Sequence, residues 1–398
     1  MLTQRDVRFT KPCLQAVVLV AALLFAAPAP AALPSLPGPT EGAGLQKLPA
    51  LPDLPTLPDP GDAAEPTPGA AAGGREWTII AYVDGDNNLE RYLLADVKEM
   101  ERACPESGLD VILLIDRSKG YTKAFGDWTG TRAYRLRKSS ADDALGSELL
   151  NDYGELNMGD PKLLGDFIRE TLRNYPSRKV ALFMSDHGAG WINMANDDDA
   201  PGAAKKTDEI TLQEFRAVLE RTAPLCPGKA FDLVFFDMCL MGQAETVAAC
   251  APFARYMVAS APTVPGVGMD FTKALPLFVS GKDTRDIAAG MVRAGVSGFL
   301  ENGDRDGSYT AFDLSKTDAF LGAFRAFSDT LTTMIPGEWA NITRTIFYSQ
   351  NYGGREDFLR KKDSISSIDF RDWISRLSKT LANPPAARIA SLEKALDA

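Results

Sequence analysis

The sequence predicts an α/β fold of three layers, with helices on both faces of a mostly parallel sheet and a helical C-terminal region. Three observations carry that prediction. The apolar segments are short and continuous rather than alternating, as strands buried on both faces require. Amphipathic helical patterns separate them. Gly, Asp and Asn gather where the apolar runs end, which marks turns at the strand termini.

Taken in order, "EWTIIAYVDGDNNLERYLLADVKEMERA" (76–103) reads as strand, turn and helix. Trp77 to Val83 is β-rich, Asp86, Asn87 and Asn88 supply the turn and N-cap, and Leu89, Leu93, Val97 and Met100 recur on one helical face. "GLDVILLIDRS" (108–118) is a second buried strand, and 122–138 reads as an exposed hairpin. An amphipathic helix covers 160–176, and "KVALFMSDHG" (179–188) is a strand ending at His187. An exposed loop fills 193–210, and 211–223 is a helix. "FDLVFFDMC" (231–239) is a strand ending at Cys239, with the next helix opening at 240. A strand covers 255–262. From about 283 onward the pattern is mainly helical, with one further strand near 308–315.

Residues 1–32 have the plan of a secretory signal peptide. Arg5, Arg8 and Lys11 precede the uncharged run 14–27, and Ala29-Pro30-Ala31 offers a small-x-small cleavage pattern. The expectation is an exported protein, periplasmic or secreted. Residues 33–75, dense in Pro, Gly and Ala with repeated Leu-Pro pairs, read as a linker or pro-segment. The folded domain is expected over 76–315, with a mainly helical region over 316–398. The net charge of −10 argues against nucleic acid as a partner. No later stretch is apolar enough to span a bilayer, so no membrane partner is expected once the signal is removed. Oligomeric state is not set by these features.

His187 is the only histidine in 398 residues. It stands in "SDHGAGW" (185–191), at the carboxyl end of a strand, where sites form in sheets of this kind. Cys239 stands at another such end, in "FFDMCLMG" (235–242). A helix opening behind Cys239 would lower its thiol pKa toward the thiolate. Gly188 and Gly190 leave room beside the imidazole for a close approach. The pair therefore reads as a thiol nucleophile with a proton-transfer partner, against the alternative of a structural histidine and a buried cysteine. Cys104, Cys226, Cys239 and Cys250 remain after removal of Cys13 with the signal peptide, and these four allow up to two disulfides or a retained thiol. One histidine and no C-x-x-C pair leave zinc without its usual ligand set. A serine-esterase reading fails because the chain has no G-x-S-x-G elbow.

Together, "WTIIAYVDGDNNLE", "SDHGAGW" and "FFDMCLMGQAETV" resemble the clostripain family of cysteine peptidases, within the wider caspase-like group that includes gingipains and legumain. The resemblance covers roughly 76–315, with a weaker echo at "SISSIDFRDWI" (364–374). It implies a caspase-like αβα sandwich and a His187–Cys239 catalytic dyad. It implies an oxyanion hole made by the Gly188 and Cys239 backbone N–H groups, and Asp237 at the base of a pocket for substrate Arg or Lys. Independently, residues two apart on a strand share a side, so Asp237 and Cys239 would line one cleft. Met238 stands where the family has a small residue. Ala261 stands where relatives often carry an acid, which leaves Arg against Lys open. The resemblance also brings in calcium as a candidate cofactor, though the chemistry itself requires none, and self-cleavage between the His and Cys elements. "DGDNN" (84–88) does not complete an EF-hand loop, since Leu89 and Ala95 stand where Gly and Glu are needed. Lys205 and Lys206 are the candidate self-processing site. The competing functional class is a catalytically inactive caspase-like binding scaffold.

Overall fold

The computed structural model describes residues 75–352 and 367–397. The expected signal peptide, the Pro-rich segment up to residue 74, and residues 364–366 of the C-terminal echo lie outside the described residues.

The sheet begins with β1 (Trp77–Gly85) and β2 (Leu109–Arg117), paired in parallel, with α1 (Glu90–Ala103) between them in sequence. β3 (Thr131–Arg135) and β4 (Glu148–Gly154) extend one edge antiparallel. α2 (Pro161–Asn174) leads into β5 (Lys179–Ser185), which pairs in parallel with β1. A separate hairpin follows, β6 (Asn193–Asp197) with β7 (Asp208–Thr211), and then α3 (Leu212–Thr222). β8 (Phe231–Asp237) pairs in parallel with β5, and α4 (Ala244–Cys250) leads to β9 (Ala254–Ala259), parallel to β8. After α5 (Phe271–Ala274) and α6 (Thr284–Glu301), β10 (Thr310–Asp313) closes the other edge antiparallel. The order across the sheet is β10-β9-β8-β5-β1-β2-β3-β4.

Strand alternation sends side chains into two cores, one on each face. Ile80 and Tyr82 of β1, with Val234 and Phe236 of β8, pack with Leu164 and Ile168 of α2 and Phe215 of α3. Ile79, Ala81, Leu233 and Phe235 face the other way, against Leu93 and Val97 of α1 and Ile287 and Met291 of α6. Double burial is why these strands read as unbroken apolar runs, and it makes the three-layer arrangement that the sequence predicts. Local signals agree. Asp160 caps α2 through Lys162 N with Pro161 in the first turn, and Thr211 and Glu214 form a reciprocal capping box on α3.

The C-terminal helices α7 (Thr317–Tyr348), α8 (Phe370–Thr380) and α9 (Ala386–Leu396) follow. Phe327 of α7 meets Trp373 edge to face, and the Trp373 indole N–H donates to Thr345 Oγ1 at 3.2 Å. In the part of the echo that is described, Phe370, Trp373 and Ile374 are buried and Asp369 caps α8.

Three local expectations are corrected. The segment 122–138 is not an exposed hairpin: its second half is β3, paired with β2, with Ala133 and Tyr134 buried. Its partner β4 is exposed along its whole length, so it carries no apolar signal. The segment 193–210 is a β-hairpin rather than a loop, and Asp197 is fully buried in it. α1 starts at Glu90 behind Leu89, with no side-chain cap.

Candidate active site

β5 and β8 are adjacent and in register, Ser185 opposite Asp237. The chain leaves both strands at the same level, so the segments carrying His187 and Cys239 emerge side by side. Their closeness is measured at Gly188. A Cβ added there would lie 2.5 Å from the Cys239 carbonyl oxygen, 2.9 Å from Met238 Cβ and 3.0 Å from Met241 Sδ. Only glycine fits. At Gly190 the backbone has φ +65°, and a Cβ would strike the Gln243 side chain at 2.4 Å.

One aspartate and three asparagines hold the His187 segment. Asn87 Nδ2 donates to Asp186 Oδ1 at 2.7 Å and to the Asn196 carbonyl at 2.8 Å, tying the end of β1 to the end of β5 and to β6. The Asn196 N–H donates to Asp186 Oδ2. His187 Nε2 lies 2.7 Å from Asn88 Oδ1. An amide oxygen only accepts, so Nε2 carries the proton and Nδ1 keeps the lone pair. Burial lowers the imidazole below its ordinary range, opposed by Asp198, so the ring is neutral at pH 7.

Main-chain bonds hold the Cys239 segment. Leu240 N–H donates to the Pro262 carbonyl at 3.0 Å and Gly242 N–H to the Ser260 carbonyl at 2.7 Å. Leu240 has φ +65°. Val264 N–H donates to Cys239 Sγ at 3.3 Å. The helix after Cys239 does not begin where the sequence suggests: α4 starts at Ala244 behind Gln243. The expected lowering of the thiol pKa fails with it. Burial pushes the Cys239 thiol up, with Asp237 and Asp186 adding to the rise and the Val264 N–H opposing it. All four described cysteines are free, and Cys239 alone is not fully buried. Cys104 and Cys250 are raised to about 11 and about 12 by burial. They lie in the hydrophobic cores, as small apolar fillers do.

Asp237 is buried beneath Cys239. Its Oδ2 accepts from Met269 N–H at 2.9 Å, and its Oδ1 accepts from the Tyr309 hydroxyl. Gly188 N–H and Cys239 N–H donate to no other main-chain carbonyl among the described residues. Lys205 and Lys206 are exposed in the turn between β6 and β7, with Lys206 Nζ 3.5 Å from Asp199 Oδ1. Sequence reasoning assigned Asn88 to a helix cap and passed over Tyr309 and the Val264 N–H. No group of three or more acidic, histidine or cysteine side chains among the described residues converges as metal ligands would.

Adjacent parallel strands whose carboxyl ends carry a free thiol on one segment and an imidazole on the next define a class: α/β proteins with the strand-end plan of a cysteine peptidase. The clostripain family model matches residues 81–380, and the chain belongs to that family of cysteine peptidases. Clostripain of Hathewaya histolytica is 32% identical over 233 residues, covering 52% of this chain and 43% of that one. The chain thus matches less than half the length of that curated relative. Among solved structures, an inactive zymogen C11 protease from Parabacteroides distasonis superposes with a TM-score of 0.58 at 16% identity, covering 81% of each chain. A secreted C11 cysteine protease from Bacteroides thetaiotaomicron, in complex with an irreversible peptide inhibitor, gives 0.53 at 18% identity, over 70% of this chain and 73% of that one. These neighbours share the caspase-like fold. No helix among the described residues is long and apolar enough to cross a membrane.

Proposed function

We propose that the protein is an exported endopeptidase that cuts peptide bonds after Arg or Lys. The observation that supports this reading is the fit of Gly188 against the Cys239 carbonyl, which sets the segments of His187 and of Cys239, the one incompletely buried thiol among the described residues, together at the carboxyl ends of β5 and β8. Cys239 Sγ attacks the scissile carbonyl carbon while His187 Nδ1 takes the thiol proton. The Gly188 and Cys239 N–H groups receive the charge on the carbonyl oxygen. The tetrahedral adduct collapses to a thioester as the imidazolium gives its proton to the leaving amine. Water, deprotonated by His187, then hydrolyses the thioester and restores the thiol. None of these steps needs a cofactor, and activity is expected to persist in EGTA.

Asp237, buried under the thiol, is the acceptor for the basic side chain before the scissile bond. The exposed Lys205-Lys206 pair is the proposed self-processing site, and residues 1–32 are the proposed export signal. The catalytic domain is proposed to be 76–315, followed by the helical region 316–398.

Paired reporters with Arg, Lys, Leu or Asp before the scissile bond, given reductant, test this with wild type beside Cys239→Ala. Cleavage after Arg or Lys that is lost in Cys239→Ala is expected. Cleavage after other residues would sink the Asp237 assignment, and no cleavage by folded, processed protein would leave the binding scaffold. The double variant Lys205→Ala/Lys206→Ala is expected to stay one chain; processing as in wild type would remove that site.

A further inference from the structure

Of the three acids that α1 buries, Glu90 is paired with Arg117 and Glu101 with Lys98, whereas Asp96 has no cationic partner among the described residues. Leu93, Asp96, Val97 and Met100 follow the spacing of a core-facing helix surface, and all four are buried. Asp96 is 6% exposed, and no hydrogen bond supports its carboxylate among the described residues. An acid placed so is costly unless something charged meets it.

What it faces, across Gly268, is Asp237. A Cβ built on Gly268 would lie 2.8 Å from Asp237 Oδ2 and 2.9 Å from Asp96 Oδ2, so both oxygens look at one glycine from less than about 6 Å apart. α1 lines this wall for some distance: Gly266 lies on the Tyr92 ring and Phe271 N–H donates to Glu99 Oε2 at 3.1 Å. Glu99 has Arg102 near it. The groups acting on Asp96 and Asp237 are one another, Glu99, Tyr309 and the Met269 N–H, none of them cationic. Two buried carboxylates thus lie close together without a counter-ion.

We propose that Asp96 is a second specificity-determining carboxylate of this pocket, and that with Asp237 it selects the guanidinium of arginine over the ammonium of lysine. The proposal rests on the reading of Asp237 given above. Asp237 has one lone pair on each oxygen committed to Met269 N–H and the Tyr309 hydroxyl, whereas Asp96 is free on both. A guanidinium presents five N–H donors in a flat fork and can bond two carboxylates at once; an ammonium is a compact point charge.

The test compares wild type with Asp96→Asn on reporters that differ only in Arg, Lys or citrulline before the scissile bond. In Asp96→Asn, kcat/KM for Arg is expected to fall ~10-fold or more, mainly through KM. Lys is expected to lose under about threefold, so the Arg:Lys ratio collapses toward one. The melting temperature should hold or rise, because a like-charge pair is relieved. Equal losses on all three reporters with an unchanged ratio would overturn the proposal. Calorimetry with an arginine peptide amide reads the same point without turnover. Cys239→Ala is expected to bind it ~10-fold or more tightly than Cys239→Ala/Asp96→Asn. Equal affinities would remove Asp96 alone, while no binding by Cys239→Ala would remove the Asp237 reading with it.

Discussion

The His187 segment and the Cys239 segment leave adjacent parallel strands at the same level, yet they are held by opposite means. Around His187 the braces are side chains, and they are acidic: Asp186 bonds Asn87 and the Asn196 N–H, Asp197 bonds the Met158 N–H at 2.8 Å, and Asn88 meets the ring. Around Cys239 the braces are backbone, at Leu240, Gly242 and Val264, with glycines where a Cβ would collide. The difference separates two kinds of sensitivity. The histidine side should respond to charge and pH, and the cysteine side to volume.

The largest effect should come from volume. Gly188→Ala puts a methyl group 2.5 Å from the Cys239 carbonyl, a backbone atom that cannot swing away. A shift of even 1 Å between reacting groups costs ~100-fold in rate. We expect kcat/KM to fall at least that far with an unchanged circular dichroism spectrum. Full activity in Gly188→Ala would mean that the two segments move independently.

On the histidine side, Asn88→Ala removes the acceptor at Nε2 and frees the tautomer. A loss of ~10-fold in kcat is expected, with KM little changed and Asn88→Asp retaining more activity than Asn88→Ala. An equal loss in both variants would make Asn88 a turn residue only.

Both halves of this comparison were partly legible in the sequence. The strand–helix alternation, His187, Cys239 and the two glycines are local patterns, and local patterns survive folding. Asn88 was visible but misread, because Asn before a helix usually caps it and here the cap falls at Leu89. Asp96 had a signal too, an acid at a core position of an apolar stripe, but its partners Asp237 and Gly268 lie far along the chain. The pKa of Cys239 could not be read at all. It depends on where α4 starts and on how deeply the thiol sits, and both are tertiary facts.

The thiol makes the next test. Because burial raises Cys239, its alkylation by iodoacetamide should keep accelerating beyond about pH 8.5 rather than level off below it. The imidazole moves the other way, so the acid limb of kcat/KM should fall below the ordinary histidine range. A thiolate plateau near neutral pH would show that an ion pair with His187 replaces the neutral pair.

The smallest effect is on stability; it comes mainly from carboxylates outside the Cys239 segment, with Asp96 and Asp237 adding to it. Burial raises Asp84 and Asp186 well above the usual carboxylate range, and takes Asp197 to about 6, Glu155 to about 7 and Asp116 to about 9. Each binds its proton more tightly folded than unfolded. Their stabilising contribution is therefore complete below the unfolded carboxylate values and is lost as pH rises through the folded ones. The melting temperature should drop by several degrees from about pH 5 to about pH 9. Asp116→Asn should flatten the upper part of that slope, while Gly188→Ala should leave the slope unchanged. A melting temperature flat across the range would mean the carboxylates are already ionised and neutralised, as a cation bound beside Asp84 Oδ2, a buried oxygen with no partner, would do.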